Sequence, residues 1–211
     1  MNVSSRSPIE LYCPACQRTY DPRQRLFGCP LANNGQEHIL QKQLTGTFDA
    51  PQAKRDIIRR WKYGTSDSFA IFRNQSVVGH MLGSKRYRQL LDVLQGRIRK
   101  TEGKSFRITP LVQARELADA IAFTGPLWIK DETENITGSH KGRHLRGSLL
   151  YLEALRELNN DKARQVLAIY SCGNAALAAS AVARAGGYEL HAFVPETVDT
   201  VVAQMLAERG A

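Results

Sequence analysis

The sequence predicts an α/β protein, a parallel sheet with helices on both faces, preceded by a small zinc-ribbon-like segment. Three observations carry this. From Ser105 onward, short apolar runs alternate with amphipathic stretches, the rhythm whose crossover connections build parallel sheets. The turns between them are short and rich in Gly, Ser and Thr. Near the start, Cys13-Pro14-Ala15-Cys16 forms a C-x2-C knuckle, the kind of tight loop that supplies two ligands to a tetrahedral zinc ion.

Taken in order, residues 1–45 read as the ribbon-like segment. Cys29 follows the knuckle, then His38, whereas Cys172 lies far away in a loop of small residues. A ribbon would bring a second C-x2-C, but Pro30, Leu31 and Ala32 follow Cys29. The fourth ligand is therefore missing or is His38 at unusual spacing, and Cys13, Cys16, Cys29 and His38 are the candidate metal set for a structural zinc. A ribbon without its ion stays open as the alternative. A redox role for the knuckle is weaker, because no βαβ pattern follows it.

Residues 46–104 read as a connecting segment punctuated by Gly46, Pro51, Gly64, Gly79, Gly83 and Gly103. Within it, residues 84–100 form a helix that Ser84 can cap. Its Tyr87, Leu90, Leu91, Leu94 and Ile98 fall on one face as core packing. Residues 105–211 then carry strands at Leu127 to Lys130, Val166 to Tyr170 and Leu190 to Val194. A helix with Leu145, Leu149, Leu152 and Leu155 on one side follows the first strand. One of Ala and Val, ending at Gly186 and Gly187, follows the second, and one capped by Thr197 or Asp199 and stopped by Gly210 follows the third. Sheets of this type bind ligands at the carboxyl ends of their strands. That singles out the turns Thr137 to Lys141 and Ser171 to Asn174.

With 211 residues, 43% hydrophobic and 23% charged, the chain can bury a core, and no stretch is apolar enough to cross a bilayer. The polar start, Met1 to Glu10, lacks a secretory pattern, so a cytoplasmic protein without a membrane partner is expected. The net charge of +9 raises the question of nucleic acid. Its basic residues come in short groups, at 54–62, 85–88 and 97–100, without a recognisable nucleic-acid motif, and read as solvated faces.

Lys141 is the candidate for the chemistry. It opens a helix after a turn rich in donors, Thr137-Gly138-Ser139-His140. A helix N-terminus disfavours an ammonium and favours a neutral amine or a bound anion. Attack on an aldehyde needs that free lone pair. On the residues alone, a surface lysine in a helix cap is the bland alternative.

The stretch KDETENITGSHKGRH, Lys130 to His144, resembles the lysine loop of the fold-type II pyridoxal phosphate (PLP) enzymes of the threonine synthase and tryptophan synthase β type. The pair His140-Lys141 is similar to the His-Lys of tryptophan synthase β chains, and Arg143 fits the threonine synthase pattern. Thr109-Pro110-Leu111 resembles the T-P-L strand opening, Tyr87 to Leu91 the helix ahead of it, and Ser171-Cys172-Gly173-Asn174 the S-x-G-N loop. An N-terminal cysteine knuckle is also a threonine synthase habit.

The resemblance implies that Lys141 holds PLP and moves a proton at Cα of an amino-acid substrate, with His140 by the phosphate and Asn174 on the 3-hydroxyl. It implies Ser171, Gly173 and Ala175 at the substrate carboxylate, with Ala175 standing where relatives have Thr or His. The implied reaction is β- or γ-elimination or replacement, as in threonine synthase or an amino-acid ammonia-lyase, in a homodimer when full-length. In relatives a glycine-rich phosphate loop and a residue facing the pyridine nitrogen come later in the chain. The expectation is thus an N-terminal part of the fold that binds PLP poorly by itself. A non-catalytic paralogue or interaction module, and a zinc-ribbon nucleic-acid binder, are the competing readings.

Overall fold

The computed structural model describes residues 9–24, 28–33, 37–44, 49–63, 65 and 67–211. Most of the polar start, the 45/46 boundary, and the glycines at 46 and 64 lie outside the described residues. The chain divides into two compact units. One comprises Met1–Asp92 and Leu150–Lys162, the other Val93–Leu149 and Ala163–Ala211.

In the first unit, β1 (Ile9–Cys13) pairs antiparallel with β2 (Arg18–Tyr20) on one side and β3 (Gln41–Leu44) on the other. Leu11 faces Tyr20 and Ile9 faces Leu44 in the two ladders. Ile9 and Cys13 at the ends of β1 are buried, and the β1–β2 turn takes Gln17 into the left-handed region at φ 55°. Three helices follow, α1 (Ala50–Tyr63), the short α2 (Ser68–Ile71) and α3 (Val77–Glu102), the last passing into the second unit at Val93. Asp67 caps α2 by accepting a hydrogen bond from the Phe69 amide at 2.9 Å, one of the orphan donors that a helix start leaves.

The helix expected from residue 84 is present, and one more turn and a half precedes it. Gly83 interrupts α3 at φ 70°, ψ 175°, a conformation open to glycine and costly for other residues, so Ser84 restarts the helix as its sequence predicts. Tyr87, Leu91, Leu94 and Ile98 are all buried.

The second unit contains β4 (Leu111–Gln113), α4 (Arg115–Ala120), β5 (Trp128–Lys130), β6 (Leu167–Tyr170), α6 (Asn174–Gly186), β7 (Leu190–Phe193) and α7 (Thr200–Glu208). α5 (Lys141–Leu158) begins in this unit and continues into the first at Leu150. The segment β6–α6–β7 is the expected parallel unit, with Leu167 opposite Leu190 and Tyr170 opposite Phe193. α6 is the core element, buried along nearly its whole length, because its Ala and Val side chains let neighbours approach on every face. Ala181 and Ala185 pack with Ile98, Phe106 and Ile136, while Ala176 and Leu177 pack with Leu206 of α7. Gly187 closes α6 in the left-handed conformation at φ 70°, as a C-terminal glycine should. Asp199 caps α7 by accepting from the Val201 amide at 2.8 Å.

One expectation is corrected. The apolar run at Leu127 to Lys130 was expected to enter the parallel sheet, yet β5 pairs antiparallel with β4, Leu111 opposite Lys130, in a two-stranded sheet. Backbone bonds from Ala114 to Leu127 and from Asp131 to Pro110 close this ladder at both ends. Strands of a parallel sheet are covered on both faces, whereas every residue of β4 and β5 is exposed, Trp128 by 54%. Apolar composition here marks a short ribbon and not an interior strand. The architecture is mixed α/β with small sheets.

Candidate functional site

The turn that leads to Lys141 is organised by Glu132. Its carboxylate accepts from Thr109 Oγ1 at 2.6 Å, Asn135 Nδ2 at 2.7 Å and Arg143 Nε at 2.9 Å, with Lys130 Nζ at 3.6 Å. Burial alone would push this carboxyl up. The hydrogen bonds from Thr109, Arg143 and Asn135 outweigh it and hold the group down at about 2, since each favours the charged form. Arg143 completes the lattice by donating to the Arg107 carbonyl at 2.8 Å and to Thr109 Oγ1 at 3.1 Å. Two stretches singled out in the sequence, Thr109-Pro110-Leu111 and Lys130 to His144, therefore meet on one carboxylate.

Upstream, Asp131 makes its own turn by accepting from the Thr133 amide and hydroxyl, which lower its carboxyl. Downstream, Thr137 and Gly138 both take positive φ, 59° and 65°. For a β-branched residue such as Thr137 this backbone costs about 1–2 kcal/mol, and such strain persists where surrounding contacts hold it. The clamp on Glu132 and the packing of Ile136 against Ala181 and Ala185 are those contacts. Gly142 is required by close approach: a Cβ there would lie 2.8 Å from the Ile136 carbonyl oxygen and 3.3 Å from the Phe106 ring.

Lys141 is the first residue of α5 and is exposed, as is His140 before it. Among the described residues, no hydrogen bond or ion pair engages the Lys141 amine. Directly before this pair, Ser139 Oγ is buried without a partner, as is Oδ1 of fully buried Asn135. Asn174 is the first residue of α6 and also exposed. Ser171 is anchored by its amide donating to the Phe193 carbonyl at 3.2 Å, Gly173 donates to Ser171 Oγ at 3.5 Å, and Ala175 continues the first turn. The amides that open α6 at residues 174–176 have no acceptor within the helix. Both turns thus lie in the second unit, each opening a helix, and the Ile136–Gly138 turn packs on α6. No hydrogen bond among the described residues links Lys141 to Asn174.

Two residues escaped the sequence reading. Glu132 stands in the sequence only as one residue of the Lys130 to His144 stretch, and its hub role has no local signal, because its partners lie up to 23 residues away. Arg146 is fully buried with its guanidinium 4.8 Å over the Phe106 ring. It sits four residues after Gly142 and three before Leu149, at the spacing of the apolar stripe, and that position was the available clue.

In the first unit, the candidate metal set does converge. The ligand atoms of Cys13, Cys16, Cys29 and His38 all lie within 4.8 Å of one another. Cys16 Sγ is 3.6 Å from Cys29 Sγ, and Cys13 Sγ is 3.6 Å from His38 Nδ1. Burial raises the Cys13 thiol. It also pushes Cys29 up, but hydrogen bonds with Tyr20, His38, the Leu31 amide and Cys16 prevail and bring Cys29 down to about 6. All four cysteines are free thiols.

With this geometry in hand, comparison with known proteins is decisive for the second unit. A family model described as pyridoxal-phosphate dependent enzyme matches residues 104–211. The chain belongs to that family. Solved structures similar to this PLP-dependent family member include a pyridoxal 5'-phosphate-dependent aspartate racemase, at 20% identity and TM-score 0.42, covering 57% of this chain and 36% of that one. Another is diaminopropionate ammonia lyase from Escherichia coli, at 19% identity and TM-score 0.41, covering 59% and 33%. The chain spans about a third of the length of these structures. No curated protein matches it. No helix among the described residues is long and apolar enough to cross a membrane.

The matched segment contains both turns. Its donor set fits a cofactor that carries an aldehyde and a phosphate. An amine without a partner, two buried oxygens without partners in the turn that precedes it, and free amides at a helix start are groups such a ligand would satisfy.

Proposed function

We propose that the chain is part of a PLP-dependent lyase or synthase acting on an amino acid by β- or γ-elimination or replacement, most like threonine synthase or an amino-acid ammonia-lyase. The observation that carries this reading is the family match across residues 104–211, with the unpartnered Lys141 amine inside it. β6–α6–β7 would then be one repeat of a wound parallel sheet with helices on both faces, in a cytoplasmic homodimer.

PLP, when bound, supplies an electron sink that delocalises negative charge formed at Cα. Lys141 would hold the cofactor and, once released by substrate, take or return the proton at Cα. Asn174 would donate to the 3-hydroxyl, and His140 would lie by the phosphate. The amides around Gly173 and Ala175, with Ser171, would hold the substrate carboxylate, using the partial positive charge of the α6 start. Lys130, Glu132, Thr109 and Arg143 would fix the turn so that Lys141 is presented in one position. Optical titration with PLP tests the reading: Lys141→Ala should abolish the spectral change and Asn174→Ala should weaken binding about tenfold, as expected for one lost hydrogen bond to a charged group. An unchanged titration in Lys141→Ala would defeat it.

We further propose a structural zinc on Cys13, Cys16, Cys29 and His38. With Zn–S near 2.3 Å and Zn–N near 2.0–2.1 Å, a tetrahedron has S–S edges of about 3.8 Å and S–N edges of about 3.6 Å. Two of the separations, Cys16 to Cys29 and Cys13 to His38, are 3.6 Å and support it, with all four ligand atoms within 4.8 Å of one another. Elemental analysis should find one zinc per chain, falling well below one in Cys29→Ser. Failure of the protein to take up added zinc would rule the ion out.

A further inference from the structure

We propose that the first unit carries a second ligand site, a cavity between α1, α2 and α3 that binds a small organic phosphate through a cluster of arginines. The cavity has a volume of about 590 Å³, within the usual range for small-molecule sites. Arg59 and Arg60 reach it from α1, Arg73 from the 3-10 turn Arg73–Gln75, and Arg88 from α3. Two of the basic groups that looked like unrelated solvated faces in the sequence, at 54–62 and 85–88, therefore converge on one concavity.

Charge balance indicates what the cavity takes. Four arginines line it against two aspartates, Asp67 and Asp92, and Asp67 is committed to capping α2. Asp56, outside the lining, pairs with Arg59 at 3.3 Å and more loosely with Arg60 at 3.9 Å. Arg73 and Arg88 remain, and among the described residues neither guanidinium has a hydrogen-bond or ion-pair partner. Arg60 is half-buried, its side chain 20% exposed, and it donates to the Ile71 carbonyl at 2.9 Å. Burial first and the neighbouring Arg73 second lower its affinity for its proton, a repulsion that a bound anion relieves.

Planar guanidiniums engage phosphate oxygens in pairs, and a multiply charged anion held between Arg73 and Arg88 would satisfy both. One wall is apolar: Tyr87 and Leu91 line the cavity, and the Tyr87 ring is fixed by its hydroxyl donating to the Phe69 carbonyl at 3.0 Å. That wall suits the organic part of a phosphate ester. A compact concavity of this volume, partly open to solvent, suits a small molecule, whereas a nucleic-acid backbone is tracked along an extended groove or stripe.

The test is isothermal titration of the full chain at fixed ionic strength with inorganic pyrophosphate and, separately, with a 20-nucleotide single-stranded DNA. Pyrophosphate should bind saturably at one site. The affinity should fall about 10-fold to 100-fold in Arg73→Ala/Arg88→Ala, from loss of charge-assisted hydrogen bonds, and in the single Arg88→Glu at an exposed position should the double variant fold poorly. Arg115→Ala, in the other unit, and Lys141→Ala should bind as the unaltered chain does, which separates this site from the PLP reading. Absence of saturable binding, equal weakening by Arg115→Ala, or tighter binding of the DNA through the same arginines would overturn the assignment.

Discussion

Glu132→Gln removes one negative charge from the lattice that holds the lysine turn and keeps the side chain's shape. In the folded chain the carboxyl titrates at about 2 against an ordinary 4.5. At about 1.4 kcal/mol per pH unit, that difference corresponds to about 3 kcal/mol of preferential stabilisation of the charged form. The side chain is 12% exposed, so partial screening brings the expected loss to about 2 kcal/mol at neutral pH. Because the folded value is depressed, this stability is fully present above pH 4.5 and disappears as pH falls toward 2. Gln does not titrate, so the gap between the two proteins should be widest at neutral pH and close through that acid window. Urea unfolding of both proteins at neutral pH and at pH 2.5 measures it, with native-state hydrogen exchange at residues 130–143 reporting where order is lost. A gap that is absent at neutral pH, or equally large at pH 2.5, would show that Glu132 is not the hub described.

Gly142→Ala should destabilise the second unit by about 1–3 kcal/mol in denaturant unfolding, because its Cβ would meet the Ile136 carbonyl at 2.8 Å and backbone cannot swing aside. Gly186→Ala should cost less than its shorter contact suggests. The nearest atom, at 2.5 Å, is the end of the Leu149 side chain, which can turn, although the Tyr188 ring at 2.7 Å limits the relief. Equal or reversed losses would contradict the distinction. Chelation of a zinc-loaded sample should lower the melting temperature of unaltered protein and leave Cys29→Ser unchanged; no shift in either would count against a metal with a structural role.

What was legible in the sequence was local. The α6 stop at Gly187, the Asp199 cap, the restart of α3 at Ser84 and the parallel β6–β7 unit follow from residues within a turn or two of the feature. The convergence of His38 with three cysteines was readable only as an open alternative, since its spacing matched no standard ribbon. The pairing of β5 with β4 was not legible, because Trp128 and Ile129 read as interior while they lie exposed on a short ribbon. The Glu132 lattice and the arginine cavity were hidden for a common reason: their members are distant in sequence and carry charge, which gives no periodicity to read. Lys141 was found through its neighbours. The fold adds the buried, unpartnered Ser139 and Asn135 oxygens just before it.

Reduction with borohydride after incubation with PLP, followed by peptide mapping, addresses the role of Lys141 most directly. A pyridoxyl group concentrated on the peptide containing Lys141, and lost in Lys141→Ala, is the predicted outcome. Label spread over exposed lysines with Lys141 unmodified, or undiminished in that variant, would contradict it.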